Sequence, residues 1–152
     1  MSADPPGYVI DPDPARVDLT LVHGWLSEQA YWALGRSLQT QRQAHAGSRV
    51  YGVYRAADGA QVAIARAVTD GATFAWVCDV FVDSAVRGSG IGTWLVSEIV
   101  ERLEAEGVLR VVLATRDAHE VYRRIGFESL ANPSTWLERD RRPQRPMPGQ
   151  FG

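Results

Sequence analysis

The hydrophobic pattern of the N-terminal third predicts one short strand and two helices. The segment Tyr8–Ile10 is followed closely by two prolines, so a strand there is short. Apolar residues then recur every three or four positions from Leu19 to Ala30, which predicts a helix with Asp18 as its N-cap. A Gln-rich segment, residues 37–46, ends at Gly47 and predicts a second helix.

The middle of the chain has the pattern of an antiparallel meander. Three apolar segments predict strands over residues 49–56, 61–68 and 73–82. Each connection between them contains an Asp-Gly pair, which is a strong signal for a tight hairpin. Consecutive strands of this sheet should therefore run antiparallel.

The last part of the pattern alternates helices with strands. An amphipathic row predicts a helix from Ile91 to about Glu106, and the uniformly apolar residues 108–114 predict a central strand covered on both faces. Asp117 or Thr115 is predicted to cap a short helix that reaches Arg124. Two closing strands are predicted over residues 127–130 and 134–138.

The length and composition are typical of one globular domain. The chain has 152 residues, and 45% of them are hydrophobic and 22% charged, which excludes a mainly disordered chain or a disulfide framework. We therefore expect a single domain over residues 1–138. Residues 139–152 are rich in arginine and proline and offer little to bury, so we expect a disordered tail.

Charge and cysteine content restrict the partners and the location. A net charge of −2 provides no basic field for sequence-independent nucleic-acid binding, although all the basic residues are arginine. Cys78 is the only cysteine, and a chain without an internal disulfide suits a reducing compartment. We find no signal-peptide pattern and no apolar run long enough to span a membrane. We expect a cytoplasmic protein that contacts neither nucleic acid nor membrane.

A glycine-rich segment has the chemistry of an anion site. It joins a predicted strand to a predicted helix and reads Arg87-Gly88-Ser89-Gly90-Ile91-Gly92. Glycines let the backbone approach a ligand, and a helix start presents unpaired N–H groups and the positive end of the dipole. Arg87 adds a planar cation suited to phosphate oxygens. An ordinary glycine-rich connection is the alternative.

Two common nucleotide-binding motifs do not match this segment. A dinucleotide site needs GxGxxG and an acidic residue at the end of the next strand, whereas the chain has GxGxG and then Ala114-Thr115. A P-loop needs a lysine, and the sequence contains none.

Three segments together resemble the GNAT superfamily of acetyl-CoA-dependent N-acetyltransferases. They are Val80-Phe81-Val82, the glycine-rich segment, and Ala118 with Tyr122 and Gly126-Phe127. The resemblance implies an α/β fold with a mixed, mostly antiparallel twisted sheet of six to seven strands, flanked by about four helices. It also implies that the fourth and fifth strands splay apart to admit the co-substrate.

The resemblance further implies a binding site for acetyl-CoA in two parts. The main chain of Phe81 and Val82 would pair with the pantetheine arm as an added strand does. The pyrophosphate would bind the amides of seven consecutive residues: Arg87, Gly88, Ser89, Gly90, Ile91, Gly92 and Thr93. Thr115 stands where the family often has an asparagine that touches the pantetheine.

Tyr122 and Asp79 are the candidates for proton transfer. The resemblance places Tyr122 where the family's general acid protonates the departing thiolate, and a tyrosine with its ordinary pKa of about 10 carries that proton at neutral pH. Its alternative role is a core aromatic. Asp79 shares a face with Phe81 by strict alternation, and the family's usual glutamate on this strand is absent. It could receive a proton, hold a cationic substrate or pair with an arginine elsewhere.

An aromatic segment in the first helix and the loop after it supplies the candidates for acceptor binding. In this family that region usually forms the acceptor side of the cleft, and the candidates are His23, Trp25, Tyr31 and Trp32. Aromatic rings favour a cationic or flat amine, although they could also pack the helices against the sheet. No residues have metal-ligand spacing, so we expect no metal.

The resulting hypothesis is acetyl transfer from acetyl-CoA to a primary amine by direct attack in a ternary complex. The acceptor would be a small molecule or a peptide amine, and the resemblance leaves a homodimer open. The alternative function is a catalytically silent acyl-CoA-binding sensor or scaffold, which the missing glutamate and the substituted asparagine favour.

Overall fold

The computed structural model describes residues 5–143 of the chain. Within it the chain divides into two compact units, with the boundary between Leu113 and Ala114. The domain limits expected from the sequence, 1–138 and 139–152, stay a prediction, and residues 144–152 of the expected tail lie outside the described residues.

The first unit is built on one mixed sheet whose strands are ordered as they occur in the sequence. The strands are β1 Tyr8–Asp11, β2 Arg49–Arg55, β3 Gln61–Thr69, β4 Ala75–Val82 and β5 Val111–Val112. The first four pair antiparallel, and β5 pairs parallel with β4. The predicted meander is confirmed, and its two tight connections contain Gly59 and Gly71 at positive φ, as the Asp-Gly signals require.

Four helices accompany this sheet along the chain, and α4 belongs to the second unit. They are α1 Leu19–Gln29, α2 Leu38–Ala46, α3 Ile91–Ala105 and α4 His119–Arg123. Side-chain capping explains where α1 and α2 begin, because the Asp18 carboxylate accepts from the Leu21 amide at 3.1 Å and the Ser37 hydroxyl from the Thr40 amide at 3.1 Å.

Helices α1 and α3 cover opposite faces of the sheet. Arg49 of β2 forms an ion pair with Glu106 at the end of α3, whereas the next residue, Val50, packs in the cluster beneath α1. Consecutive side chains of a strand point to opposite faces, so the two helices lie on different sides. The row predicted to be the buried face of α3 is fully covered and consists of Ile91, Leu95, Ile99 and Leu103.

The number of strands is lower than expected. Residues 5–143 contain five strands, not six to seven. The two predicted closing segments form no strand, and a 3-10 turn, Pro133–Thr135, lies where the second of them was expected to begin. The predicted strand over 108–114 is also largely wrong. Only Val111–Val112 pairs, both residues are half-buried, and Leu109 is 81% exposed. The segment is an edge strand with one neighbour, and its paired residues are only half-buried, so it is neither central nor fully covered on both faces.

The start of α4 also differs from the prediction. Its N-cap is Ala118, which makes no side-chain cap, and not Asp117 or Thr115. The Thr115 hydroxyl still accepts from the Ala118 amide at 3.1 Å, so it bonds one residue ahead of the helix rather than within its first turn.

Strand β4 carries a bulge close to its end. Between the pairs Ile64–Phe81 and Arg66–Cys78, β4 has one residue more than β3. Asp79 lies in this bulge with a φ of 52°, the left-handed region that side chains other than glycine rarely adopt.

Strands β4 and β5 pair only where β4 begins. Their register contains Ala75 with Val111 and Trp76 with Val112, and β4 then continues to Val82. The expected splay of the fourth and fifth strands stays a prediction. The end of β4 and the glycine-rich segment that follows it therefore adjoin a stretch of edge that β5 does not cover.

Candidate active site

The glycine-rich segment begins with a tight turn that its own side chains hold. The Asp83 carboxylate accepts from the Ala85 amide at 3.1 Å and starts the 3-10 turn Ser84–Val86. The Ser89 hydroxyl then donates to the Val86 carbonyl at 2.6 Å. These local bonds fix the loop without help from distant residues, which explains why the sequence alone predicts it well.

The glycines of this loop leave its surface open. Gly88 and Gly90 have φ of +85° and +81°, and apart from adjacent backbone and chain neighbours no protein atom lies within 4 Å of where a Cβ would stand on either residue. Gly90 is the N-cap of α3, where no side chain caps the helix. Helix starts of this kind favour an anion, because unpaired N–H groups and the helix dipole point outward.

Arg87 is held beside the end of β4. Its Nε donates to the Val82 carbonyl at 2.9 Å, and its guanidinium carbon lies 5.0 Å from the centre of the Phe81 ring. A Cβ on Gly92 would lie 3.4 Å from the Val82 side chain, so the first turn of α3 packs closely on the same residue. The structure thus brings Phe81, Val82, Arg87 and Gly92 together.

The two remaining candidates in the first turn of α3 differ in burial. The Ile91 side chain is 1% exposed and belongs to the core, so only its amide is available for a ligand. Thr93 is half-buried.

The bulge of β4 points the Asp79 carboxylate into a buried polar cluster. Its Oδ1 accepts from Trp32 Nε1 at 2.8 Å, and its Oδ2 accepts from Arg36 Nη1 and Arg66 Nε, each at 2.7 Å. Burial alone would raise the pKa of Asp79, but the hydrogen bond from Arg36 and the charge of Arg66 outweigh it and lower that pKa. Of the roles considered for Asp79, pairing with arginine is the arrangement present.

Further polar groups support the two arginines. The Gln41 Oε1 accepts from Arg36 Nη1 at 2.9 Å, and the Ser48 hydroxyl accepts from Arg66 Nη1 at 3.1 Å. Cys78 adjoins this cluster, and burial raises the pKa of its thiol to about 11. It is therefore a protonated core residue at neutral pH.

The four candidate acceptor residues have different surroundings. Trp25 is 6% exposed and stacks on Phe81 with ring centres 5.6 Å apart, so it packs the core. His23 Nε2 donates to the Arg36 carbonyl at 2.7 Å. The rings of Tyr31 and Trp32 meet edge to face with centres 4.9 Å apart, and both are half-buried.

Tyr122 and Thr115 belong to the second unit. Tyr122 lies in α4 and is half-buried, its carbonyl accepts from the Phe127 amide at 3.1 Å, and the two rings meet edge to face. Their placement near the thioester stays a prediction from the family resemblance.

Arg36 and Arg66 are functional candidates that the sequence pattern did not indicate. Arg66 is a charged residue within the apolar strand β3, and this was a usable signal because a charge there needs a buried partner. Arg36 gave no comparable signal, since it lies in the connection between α1 and α2 and its partner is distant in sequence.

Two features are absent from residues 5–143. No group of three or more His, Cys, Asp and Glu side chains has the arrangement of a metal site. None of the helices in this range combines the length and the apolar character that crossing a bilayer requires.

Comparison with known proteins places the chain in a family. The model of the Acetyltransferase (GNAT) family matches residues 19–127. A solved structure of a candidate GNAT acetyltransferase from Xanthomonas campestris pv. campestris is 36% identical, covers 89% of this chain and 94% of its own, and has a TM-score of 0.83. A candidate acetyltransferase of Gibberella zeae is 26% identical over 133 residues, which are 76% of this chain and 75% of that protein.

A more distant structure shares the fold. It is a Clostridium acetobutylicum acetyltransferase solved with acetyl-CoA, 16% identical, with a TM-score of 0.64 and coverage of 88% of this chain and 94% of its own. With the family match over most of the chain, these findings settle the family. The chain belongs to the GNAT acetyltransferases and is an acyltransferase enzyme.

Proposed function

We propose that the protein transfers an acetyl group from acetyl-CoA to a primary amine by direct attack in a ternary complex. The observation that carries this proposal is the open, uncapped glycine loop that follows the uncovered end of β4. Acetyl-CoA supplies an acetyl group activated as a thioester. Its presence in the solved Clostridium acetobutylicum relative supports its role as co-substrate.

The residues present fit the phosphate part of that co-substrate. The amides of residues 87–93 would hold the pyrophosphate, because the loop surface at Gly88 and Gly90 is free of protein atoms. Arg87 would add a charge-assisted hydrogen bond, since only its Nε is engaged by Val82.

The uncovered edge of β4 would hold the pantetheine arm. Main-chain groups of Phe81 and Val82 lie beyond the short pairing with β5, so an extended ligand can add to the sheet edge there. By the family resemblance, Thr115 would contact the pantetheine, as a shorter replacement for the asparagine that the family often has.

Tyr122 would donate a proton to the leaving thiolate. Asp79 is a weak candidate for removing the proton from the amine, because three donors engage its carboxylate and its pKa is lowered. We therefore assign Asp79 the role of positioning Trp32 and Arg36. The acceptor would lie on the side of His23, Tyr31 and Trp32, and the single cysteine favours a cytoplasmic location.

One observation favours a second candidate, a binding-only sensor or scaffold for acyl-CoA. The ionisable side chains of β4 are Cys78, with a pKa of about 11, and the paired Asp79. The strand therefore has no carboxylate free to act as a base, which is what a silent module would show.

The test is a thiol-release assay with acetyl-CoA and a panel of amines and peptides, run beside CoA calorimetry. We expect binding of CoA and release of thiol that depends on the amine. Binding without release from any amine supports the sensor. Absence of both contradicts the assignment of the glycine loop.

A further inference from the structure

The polar cluster around Asp79 carries more positive than negative charge. Two guanidinium groups, of Arg36 and Arg66, share one carboxylate oxygen, which leaves one positive charge over. The exposed fraction is 8% for the Arg66 side chain and 1% for Asp79, so water compensates this charge poorly. A partly buried surplus of this kind favours a second anion.

The surplus charge reaches the surface through Arg36. The Arg36 side chain is 19% exposed, more than the other two members of the triad. Its Nη1 donates to Asp79 and to Gln41, while its Nε and Nη2 make no hydrogen bond to the part of the chain that the structure describes. One edge of a planar, two-pronged donor is therefore left for a ligand.

Arg36 is also fixed in place before any ligand binds. His23 holds its main-chain carbonyl at 2.7 Å, and Asp79 and Gln41 hold its side chain. Binding through a preorganised guanidinium loses little conformational entropy.

Gln41 adds a second excess hydrogen-bond donor to the polar cluster around Asp79. Gln41 is fully buried, uses its Oε1 to accept from Arg36, and has no partner for Nε2 within residues 5–143. A buried amide donor without a partner costs free energy, so an additional oxygen near Arg36 would be favourable.

The cluster lies on the acceptor side of the proposed site. Asp79 precedes Phe81 by two residues in β4, and Trp32 and Arg36 come from the connection between α1 and α2. Phe81 in turn stacks on Trp25 of α1. The charge is thus placed within a few residues of the strand end where the acetyl group would be presented.

Building on the proposed acetyl transfer, we propose that the acceptor is an amine that also carries a carboxylate, as amino acids do, and that Arg36 binds this carboxylate. A carboxylate matches the free edge of a guanidinium and neutralises the surplus charge. Acceptors with several positive charges are repelled by the same surplus. In the reaction, the acceptor nitrogen forms the bond to the acetyl carbon as the carbon–sulfur bond breaks. The nitrogen loses one proton, and the thiolate gains one.

The experiment compares amines that differ only in the carboxylate. The thiol-release assay measures kcat/KM for L-phenylalanine, phenethylamine and L-phenylalanine amide, and the same series for a second amino acid. L-Phenylalanine amide controls for the basicity of the amine, because its amino group is less basic than that of L-phenylalanine or phenethylamine. We expect the carboxylate-bearing member of each series to be preferred by at least about tenfold.

Variants test whether Arg36 is responsible. Arg36→Gln should lower kcat/KM for the carboxylate-bearing amine by about tenfold to a hundredfold more than it lowers kcat/KM for the other two amines. Arg36→Lys should give a kcat/KM for this amine between those of Arg36→Gln and the unchanged protein, since lysine keeps the positive charge but lacks the planar, two-pronged donor. Arg42→Gln, which changes an exposed arginine of α2, is the matched control and should behave as the unchanged protein.

The outcomes separate this inference from the proposed function. Equal use of the three amines by the unchanged protein overturns the inference while acetyl transfer stands, and needs no variant to fold. If no amine releases thiol, the inference is tested by calorimetry, which compares the binding of L-phenylalanine and of phenethylamine to the protein in the presence of CoA. Arg36-dependent binding of the carboxylate-bearing ligand alone supports the anion site without transfer, and absence of that binding overturns the site too.

Discussion

At the scale of single residues, Tyr122 has the simplest expected effect. Tyr122→Phe removes the proposed proton donor and keeps the ring, so turnover should fall by about tenfold or more while CoA affinity changes little. Thiol release and calorimetry measure the two quantities. Tyr8→Phe makes the same chemical change in β1 and should alter neither. Equal turnover for Tyr122→Phe and the unchanged protein removes Tyr122 from the mechanism.

Asp79 shows which residue properties can be predicted from sequence. Alternation along β4 was enough to make it a candidate beside Phe81, because strand periodicity is local. Its three actual partners are 13, 43 and 47 residues away, and a one-residue bulge sets its direction. Neither the pairing nor the bulge has a local signal, so three open roles for Asp79 could not be reduced to one without the structure.

At the scale of elements, the glycine loop makes a testable claim about shape. Gly90→Ala should cost about 1–2 kcal/mol in the free energy of unfolding, because a Cβ is strained at positive φ. It should also weaken CoA binding by about tenfold or more, since the methyl group would occupy part of the surface proposed to bind the pyrophosphate. Urea unfolding and calorimetry measure the two effects.

Gly59→Ala is the matched control for that variant. Gly59 also has a positive φ, 73°, and has no protein atom within 4 Å of a Cβ, but it lies in the hairpin between β2 and β3. It should lose similar stability and keep its CoA affinity. If both variants bind CoA equally well, the loop at Gly90 does not hold the pyrophosphate.

Elements with local determinants were predicted correctly, and those that depend on distant partners were not. Capping residues fixed α1 and α2, and Asp-Gly pairs fixed the hairpins. A strand, in contrast, exists only where a neighbour pairs with it. Residues 108–114 are apolar enough for a long strand, yet β4 offers partners at two positions only.

At the scale of the whole molecule, His45, a half-buried residue of α2 that feels the charge of Arg66, should make stability depend on pH. Burial lowers the pKa of His45 to about 4, and the charge of Arg66 contributes in the same direction. The unfolded chain, with an ordinary histidine pKa of about 6.5, binds a proton that the folded chain rejects. The free energy of unfolding should therefore fall as the pH is lowered from about 6.5 towards 4.

The experiment is urea unfolding at a series of pH values between 5 and 7, with His45→Gln as the comparison. Glutamine does not titrate, so the variant should show a flatter dependence of stability on pH in this range. Asp79 changes the stability only at lower pH. Because its pKa is lowered in the folded chain, its contribution to the free energy of unfolding is present above about pH 3.8 and is lost below it. Equal slopes for the two proteins would show that folding does not lower the pKa of His45.

The bulge at Asp79 has an evolutionary consequence. Its left-handed backbone costs about 1–2 kcal/mol for a residue with a side chain, and the three bonds that Asp79 receives from Trp32, Arg36 and Arg66 offset that cost. Loss of any one donor leaves the strain with fewer bonds to offset it. Among descendants of this sequence, the four residues should therefore be inherited or replaced together, with glycine or asparagine succeeding Asp79 wherever the two arginines are gone.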